Sequence, residues 1–211
     1  MTGPITEYGL TLEAAWSGPA SGATNLLVLC HPHPQQDGTM DAPLMRSLAN
    51  RLVERGFRVL RFNFRGVGQS EGGWSGGDGE IRDVGAAVAF AREAHPDLPF
   101  GLAGWSFGAV MALRWQAEHG DASPYVGVAP ALAYDPSLRM PTSDELPPAR
   151  RLFILGDRDQ FCSVDELTTY AAGIGAELEV FPGSDHFFVF RDVAVGNRIA
   201  EFFKGRGTSS E

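Results

Sequence analysis

A serine with a glycine two residues to either side, Gly104-Trp105-Ser106-Phe107-Gly108, stands between the apolar run Phe100–Ala103 and the helix-forming run Ala109–Leu113. Strand, sharp turn and helix in that order hold a serine in a strained backbone conformation with its hydroxyl exposed, and the two glycines remove Cβ atoms that would clash where strand and helix cross. Ser106 is therefore the candidate nucleophile. The same turn aims the amide of Phe107 and the helix N-terminus at the oxygen that turns negative when a carbonyl is attacked. Gly68-Gln69-Ser70-Glu71-Gly72 repeats the spacing. There the apolar run Val59–Phe64 ends four residues before Gly68 and the glycine-rich stretch Gly72–Gly77 follows where a helix should, so Ser70 is assigned to a loop.

A serine hydroxyl is a weak nucleophile at neutral pH and needs a base, itself oriented by a third group. Of the five histidines, His186 in Gly183-Ser184-Asp185-His186-Phe187-Phe188 falls between the last predicted strand and the last predicted helix, on the rim expected for Ser106. His95 and His119 fall at predicted helix C-termini, where an imidazole faces the helix dipole, a structural role. The loop Gly156-Asp157-Arg158-Asp159-Gln160 supplies two carboxylates, one expected to be structural and the other to orient the base.

The elements that must position these residues alternate. Residues 5–16 read as an antiparallel hairpin of two edge strands around Gly9, and Leu26–Cys30 is a continuous apolar run, as in a strand buried on both faces of a parallel sheet. Asp41 and Pro43 predict a capped helix carrying Leu44, Leu48, Leu52 and Val53 inward and stopping at Gly56; a strand is predicted over Arg58–Phe64. After the glycine-rich loop 66–79, Ile81, Val84, Val88 and Ala91 share one helix face closed by Pro96. The nucleophile's strand and helix follow, the latter ending near Gly120. Strands are then expected at Tyr125–Ala129, Leu152–Leu155 and Leu178–Phe181. Residues 133–149 are proline-rich with little periodicity, Ser163-Val164-Asp165-Glu166 is a capping box, and 192–203 reads as a last helix with Val195, Ile199 and Phe202 inward. Alternation of this kind implies a mostly parallel sheet of about eight strands with helices on both faces, binding its ligand beyond the strands' carboxyl ends.

With 211 residues, the chain is expected to form one domain over 1–204 with a frayed tail at 205–211. The formal net charge of −9 argues against nucleic-acid or anionic-membrane partners. Cys30 and Cys162 have no metal-ligand spacing and fit a reducing compartment; with neither a signal peptide nor a membrane-length apolar run, a cytoplasmic location is expected.

In its strand-turn-helix serine and in the order Ser106, Asp, His186, the chain resembles a small α/β-hydrolase, close to the lidless dienelactone-hydrolase-like and serine-esterase branch, over nearly its whole length. In these relatives the acid lies three residues after a glycine ending its strand, which implies Asp159 rather than Asp157. His31-Pro32-His33-Pro34 resembles the family's His-Gly-x-Pro segment, implying that the amide of His33 is the second oxyanion donor beside that of Phe107. Proline at 32 replaces the usual glycine, and Asp37-Gly38 stands where some relatives carry two glycines. Arg65-Gly66-Val67-Gly68 resembles the family's loop after the fourth strand, a packing element beside the elbow. Dienelactone hydrolases proper use cysteine where this chain has Ser106, so their substrate does not carry over.

The resemblance implies a serine hydrolase that cleaves carboxylic esters or similar acyl compounds through an acyl-enzyme, without cofactor or metal, on small-molecule substrates. About twenty residues separate the strands before the acid, too few for a lipase's helical lid. A peptidase is a poorer fit, for want of a large cap to filter peptides. Two further readings share these residues: an acyltransferase with the same triad, and a catalytically silent binding protein on a hydrolase fold. A metal site on His31 and His33 lacks a third ligand at suitable spacing.

Overall fold

Continuous apolar runs in a chain that keeps returning through helices must pair in parallel and be covered on both sides. The computed structural model, which describes residues 2–7, 9–131 and 139–205, has this architecture. The strands are β1 (Thr2–Glu7), β2 (Leu10–Ser17), β3 (Asn25–Cys30), β4 (Phe57–Phe62), β5 (Phe100–Trp105), β6 (Tyr125–Val128), β7 (Arg151–Gly156) and β8 (Glu177–Phe181). They form one sheet in the order β1-β2-β4-β3-β5-β6-β7-β8. Pairing is parallel from β4 to β8, while β1–β2 and β2–β4 are antiparallel. Among the described residues five α-helices accompany them: α1 (Pro43–Glu54), α2 (Asp78–Ala94), α3 (Phe107–His119), α4 (Val164–Gly173) and α5 (Asp192–Lys204).

The crossover β3-α1-β4 runs one way across the sheet, and β4-α2-β5, β5-α3-β6 and β7-α4-β8 run the other. Right-handed crossovers then place α1 on one face and α2, α3 and α4 on the opposite one. α5 packs on α1. The chain reverses direction at β3, whose neighbours are β4 and β5, and the crevice beyond the carboxyl ends of β3 and β5 is where a ligand binds in such sheets. Leu27, Val28 and Leu29 of β3, like Leu102 and Ala103 of β5, are wholly buried.

Five local expectations need correction or fall, in whole or in part, outside the description. β2 is an interior strand, because it pairs with β4 on the side away from β1. Asp41 does not cap α1: Ala42 is the N-cap without a side-chain hydrogen bond, and the Asp41 carboxylate accepts from Arg46 and Arg61 instead. β4 ends at Phe62, two residues early: the Asn63 amide still donates to Glu13 O of β2, but the Phe64 amide turns away to the His31 ring. The tail beyond Gly205 and the first part, 133–138, of the expected irregular stretch 133–149 lie outside the described residues. The capping box of α4 is present, with Ser163 Oγ accepting from the Glu166 amide and Glu166 Oε2 accepting from the Ser163 amide, a pairing worth about 1 kcal/mol.

Candidate active site

The turn between β5 and α3 is built from what its glycines lack. A Cβ on Gly104 would lie 2.4 Å from the Gly108 carbonyl carbon, and one on Gly108 would lie 2.4 Å from the carbonyl oxygens of Cys30 and His31. Strand β3, β5 and the first turn of α3 can pack this closely only with hydrogen at both positions. Ser106 between them has φ 57° and ψ −120°, a left-handed backbone for a residue with a side chain, held by its amide donating to Val128 O at 2.8 Å. The Tyr125 hydroxyl donates to Ala109 O at 2.7 Å and fixes the start of α3 from below. Phe107 is the first residue of α3, so its N–H has no acceptor within the helix.

Asp159 and His186 come together across two loops. His186 Nδ1–H donates to Asp159 Oδ2 at 2.8 Å, with the Asp159 side chain fully buried and that of His186 only 5% exposed. The other carboxylate oxygen, Oδ1, accepts from the amides of Phe161 at 2.7 Å and Cys162 at 3.1 Å, so the acid is oriented by its own loop. With Nδ1 committed to the carboxylate, Nε2 is the nitrogen left to accept a proton. Asp157 does structural work: its Oδ1 accepts from the Gly183 amide at 2.7 Å, tying the loop of the acid to the loop of the histidine. The Arg158 amide adds a second tie, donating to Ser184 O at 2.9 Å.

The segment after β3 uses both of its histidines as scaffolding. The His31 ring is fully buried, its Nδ1–H donating to Pro32 O at 2.6 Å and its Nε2 accepting from the Phe64 amide at 3.0 Å. Burial pushes its pKa down to about 3, with the charge of His33 acting in the same direction, so the ring stays neutral and both nitrogens are occupied by backbone. That leaves no ring nitrogen for a metal shared with His33. His33 Nδ1 accepts from the Gln35 amide at 3.1 Å and caps a 3₁₀ turn over Pro34–Gln36, while its ring packs against Trp74 and Phe107. Ser70 is a loop residue, its Oγ donating to Asn63 O and accepting from the Glu13 amide. His95 caps α2 and accepts from Arg58; His119 donates to Trp115 O in the last turn of α3. Arg65 pairs with the buried Asp83 of α2, anchoring the glycine-rich loop.

Ser106, His186, Phe107 and His33 line one cavity of about 390 Å³. Its walls are mainly apolar, from Trp105, Val110, Phe161 and Phe187. Among the described lining residues there is no Lys or Arg, and Asp37 is the only carboxylate. Two functional neighbours gave no sequence signal beyond adjacency to Ser106 and His186. Trp105 Nε1–H donates to His186 O at 3.1 Å, fixing the histidine's loop to β5, and Phe187 stands edge-on to the imidazole with ring centroids 5.5 Å apart.

Comparison with known proteins agrees with this architecture. A protein of Rickettsia prowazekii described as uncharacterized is 28% identical over 203 residues, 90% of this chain and 83% of that one. An α/β serine hydrolase homologue from Coxiella burnetii superposes with a TM-score of 0.81 at 29% identity, covering 95% of this chain and 96% of that one. A serine hydrolase without a lid from Xanthomonas campestris reaches a TM-score of 0.84 at 28% identity, covering 100% and 96%. An esterase of Pyrococcus furiosus, 22% identical with a TM-score of 0.81 over 97% and 91%, shares the fold. Residues 41–155, more than half of the chain and spanning α1 through most of β7 with the serine turn between, match the family described as serine aminopeptidase, S33, and the chain is a member of that family of α/β serine hydrolases.

Proposed function

We propose that this protein hydrolyses neutral carboxylic esters, or similarly activated acyl compounds, through an acyl-enzyme on Ser106. The observation that carries the reading is the buried Asp159–His186 pair, 2.8 Å apart, beside the cavity that Ser106 enters from a strained turn. Ser106 Oγ attacks the carbonyl carbon as His186 Nε2 takes its proton. Asp159 holds the tautomer and stabilises the imidazolium, and the amides of Phe107 and His33 receive the oxyanion, each such donor being worth about 3–4 kcal/mol. Collapse breaks the bond to the alcohol oxygen, which leaves with the proton from His186. Water then adds to the acyl-enzyme by the same route, releasing the acid and restoring Ser106.

A mainly apolar cavity of about 390 Å³ without a described Lys or Arg suits a small, uncharged acyl compound, and among the described residues no helix is long and apolar enough to cross a membrane. Two buried cysteines, Cys30 and Cys162, fit a reducing compartment and support placing the protein in the cytoplasm. The test is covalent labelling by a fluorophosphonate, read by intact mass, beside hydrolysis of p-nitrophenyl butyrate. Both should vanish in Ser106→Ala and persist in Ser70→Ala. Hydrolysis that survives Ser106→Ala sinks the reading.

A further inference from the structure

The loop that carries His186 is built to present one side chain. Phe188 is wholly buried and edge-on to Phe181, while Phe187, Val189 and Phe190 around it are 49%, 57% and 96% exposed. Phe188 and Phe190 both have positive φ, 51° and 61°, a conformation uncommon for aromatic residues and held only where the surroundings impose it. The buried ring thus acts as an anchor, and Phe187 is fixed at the edge of the Ser106 cavity, against Trp105 on one side and His186 on the other.

Behind Phe187 lies a second cavity of about 440 Å³. It shares Pro43, Trp105 and Phe187 with the first and continues along Leu44, Val189 and Phe190. Its polar side chains, Ser47 and Asp192, are hydrogen-bonded to each other, so what it offers a ligand is apolar surface. Phe187 is the partition between the two spaces. Which half of a substrate meets that partition follows from the chemistry. His186 must protonate the departing oxygen, so the leaving group sits within hydrogen-bond reach of Nε2, and Phe187 is the wall that follows His186 in the chain and touches its ring.

We propose that Phe187 sets specificity for the leaving group, and that the second cavity is a subsite for an apolar alcohol portion, closed off by this ring. The proposal rests on the esterase reading above. It is tested with two ester series: acetates of methanol, butanol and octanol, and p-nitrophenyl esters of acetic, butyric and octanoic acid. In Phe187→Ala the octyl-to-methyl ratio of kcat/KM should rise about tenfold, the scale on which a pocket discriminates a few methylenes, whereas the octanoate-to-acetate ratio should stay within about twofold. Phe187→Trp should lower the first ratio. Circular dichroism and fluorophosphonate labelling show that each variant is folded with a working serine, as expected for a half-exposed position. A shift confined to the acyl series, an equal shift in both, or none in either overturns the proposal while the esterase reading stands. Failure of the wild type to hydrolyse any ester overturns that reading and this proposal with it.

Discussion

Asp157 and Asp159 are two residues apart and have different partners, which makes them a controlled comparison. Asparagine at 157 keeps an oxygen that can accept from the Gly183 amide, so the tie between the two loops survives. Asparagine at 159 likewise keeps Oδ1 for the Phe161 and Cys162 amides, and the loop should hold its path. What changes is the atom facing His186 Nδ1, which becomes an N–H donor and forces the imidazole into the tautomer with hydrogen on Nε2, where it can no longer accept from Ser106. Asp159→Asn should therefore lower kcat by about 10⁴ with little change in melting temperature, and Asp157→Asn should do far less. Steady-state kinetics with p-nitrophenyl butyrate and a thermal melt check both. Equal losses, or the reverse ranking, would move the orienting role to Asp157.

The segment between β3 and α1 shows what an element takes from its surroundings. His31 is neutral there because its ring is buried and both nitrogens are bonded to backbone, whereas in the unfolded chain it titrates near 6.5. A group whose folded pKa is depressed loses stability as pH falls, because the unfolded state takes up the proton first. The window runs from about 6.5 down to about 3, and at pH 5 the loss from His31 alone comes to about 2 kcal/mol. Urea unfolding at pH 7.5 and pH 5 should show that extra loss in the wild type and lack it in His31→Gln; identical pH dependence would mean that the ring is protonated in the folded protein. The element also marks how far sequence reaches. The turn around Ser106 was legible because Gly104, Ser106 and Gly108 encode it within five residues. Asp41 was misread as a cap because its carboxylate is claimed by Arg61 of another strand, and β2 was misread as an edge because its pairing with β4 has no local signature. Spacing alone left Asp157 and Asp159 equivalent; only family likeness separated them. The part proposed for Phe187 was not legible, since it depends on the fold bringing Pro43, Trp105 and Phe187 to line the same two cavities.

For the whole molecule, topology and charge act on the same place. Reversal at β3 brings the ends of β3 and β5 into one crevice, and the chain that carries it has a formal net charge of −9. Many of the arginines are held in ion pairs, Arg61 and Arg46 with Asp41, Arg198 with Glu177 and Glu179, Arg65 with Asp83, and among the described lining residues no Lys or Arg reaches the cavity while Asp37 does. An ester bearing its own carboxylate must approach a molecule of like net charge and finds no described Lys or Arg to receive it. Screening should relieve the first handicap: the Debye length shrinks from about 30 Å at about 0.01 M salt to about 3 Å at about 1 M. For the anionic mono-p-nitrophenyl glutarate, kcat/KM should start well below that of neutral p-nitrophenyl butyrate and rise severalfold with sodium chloride. The neutral ester should barely respond over the same range. Preference for the anionic ester at low salt, weakening as salt is added, would require a cationic contact in the site and overturn the neutral-substrate reading.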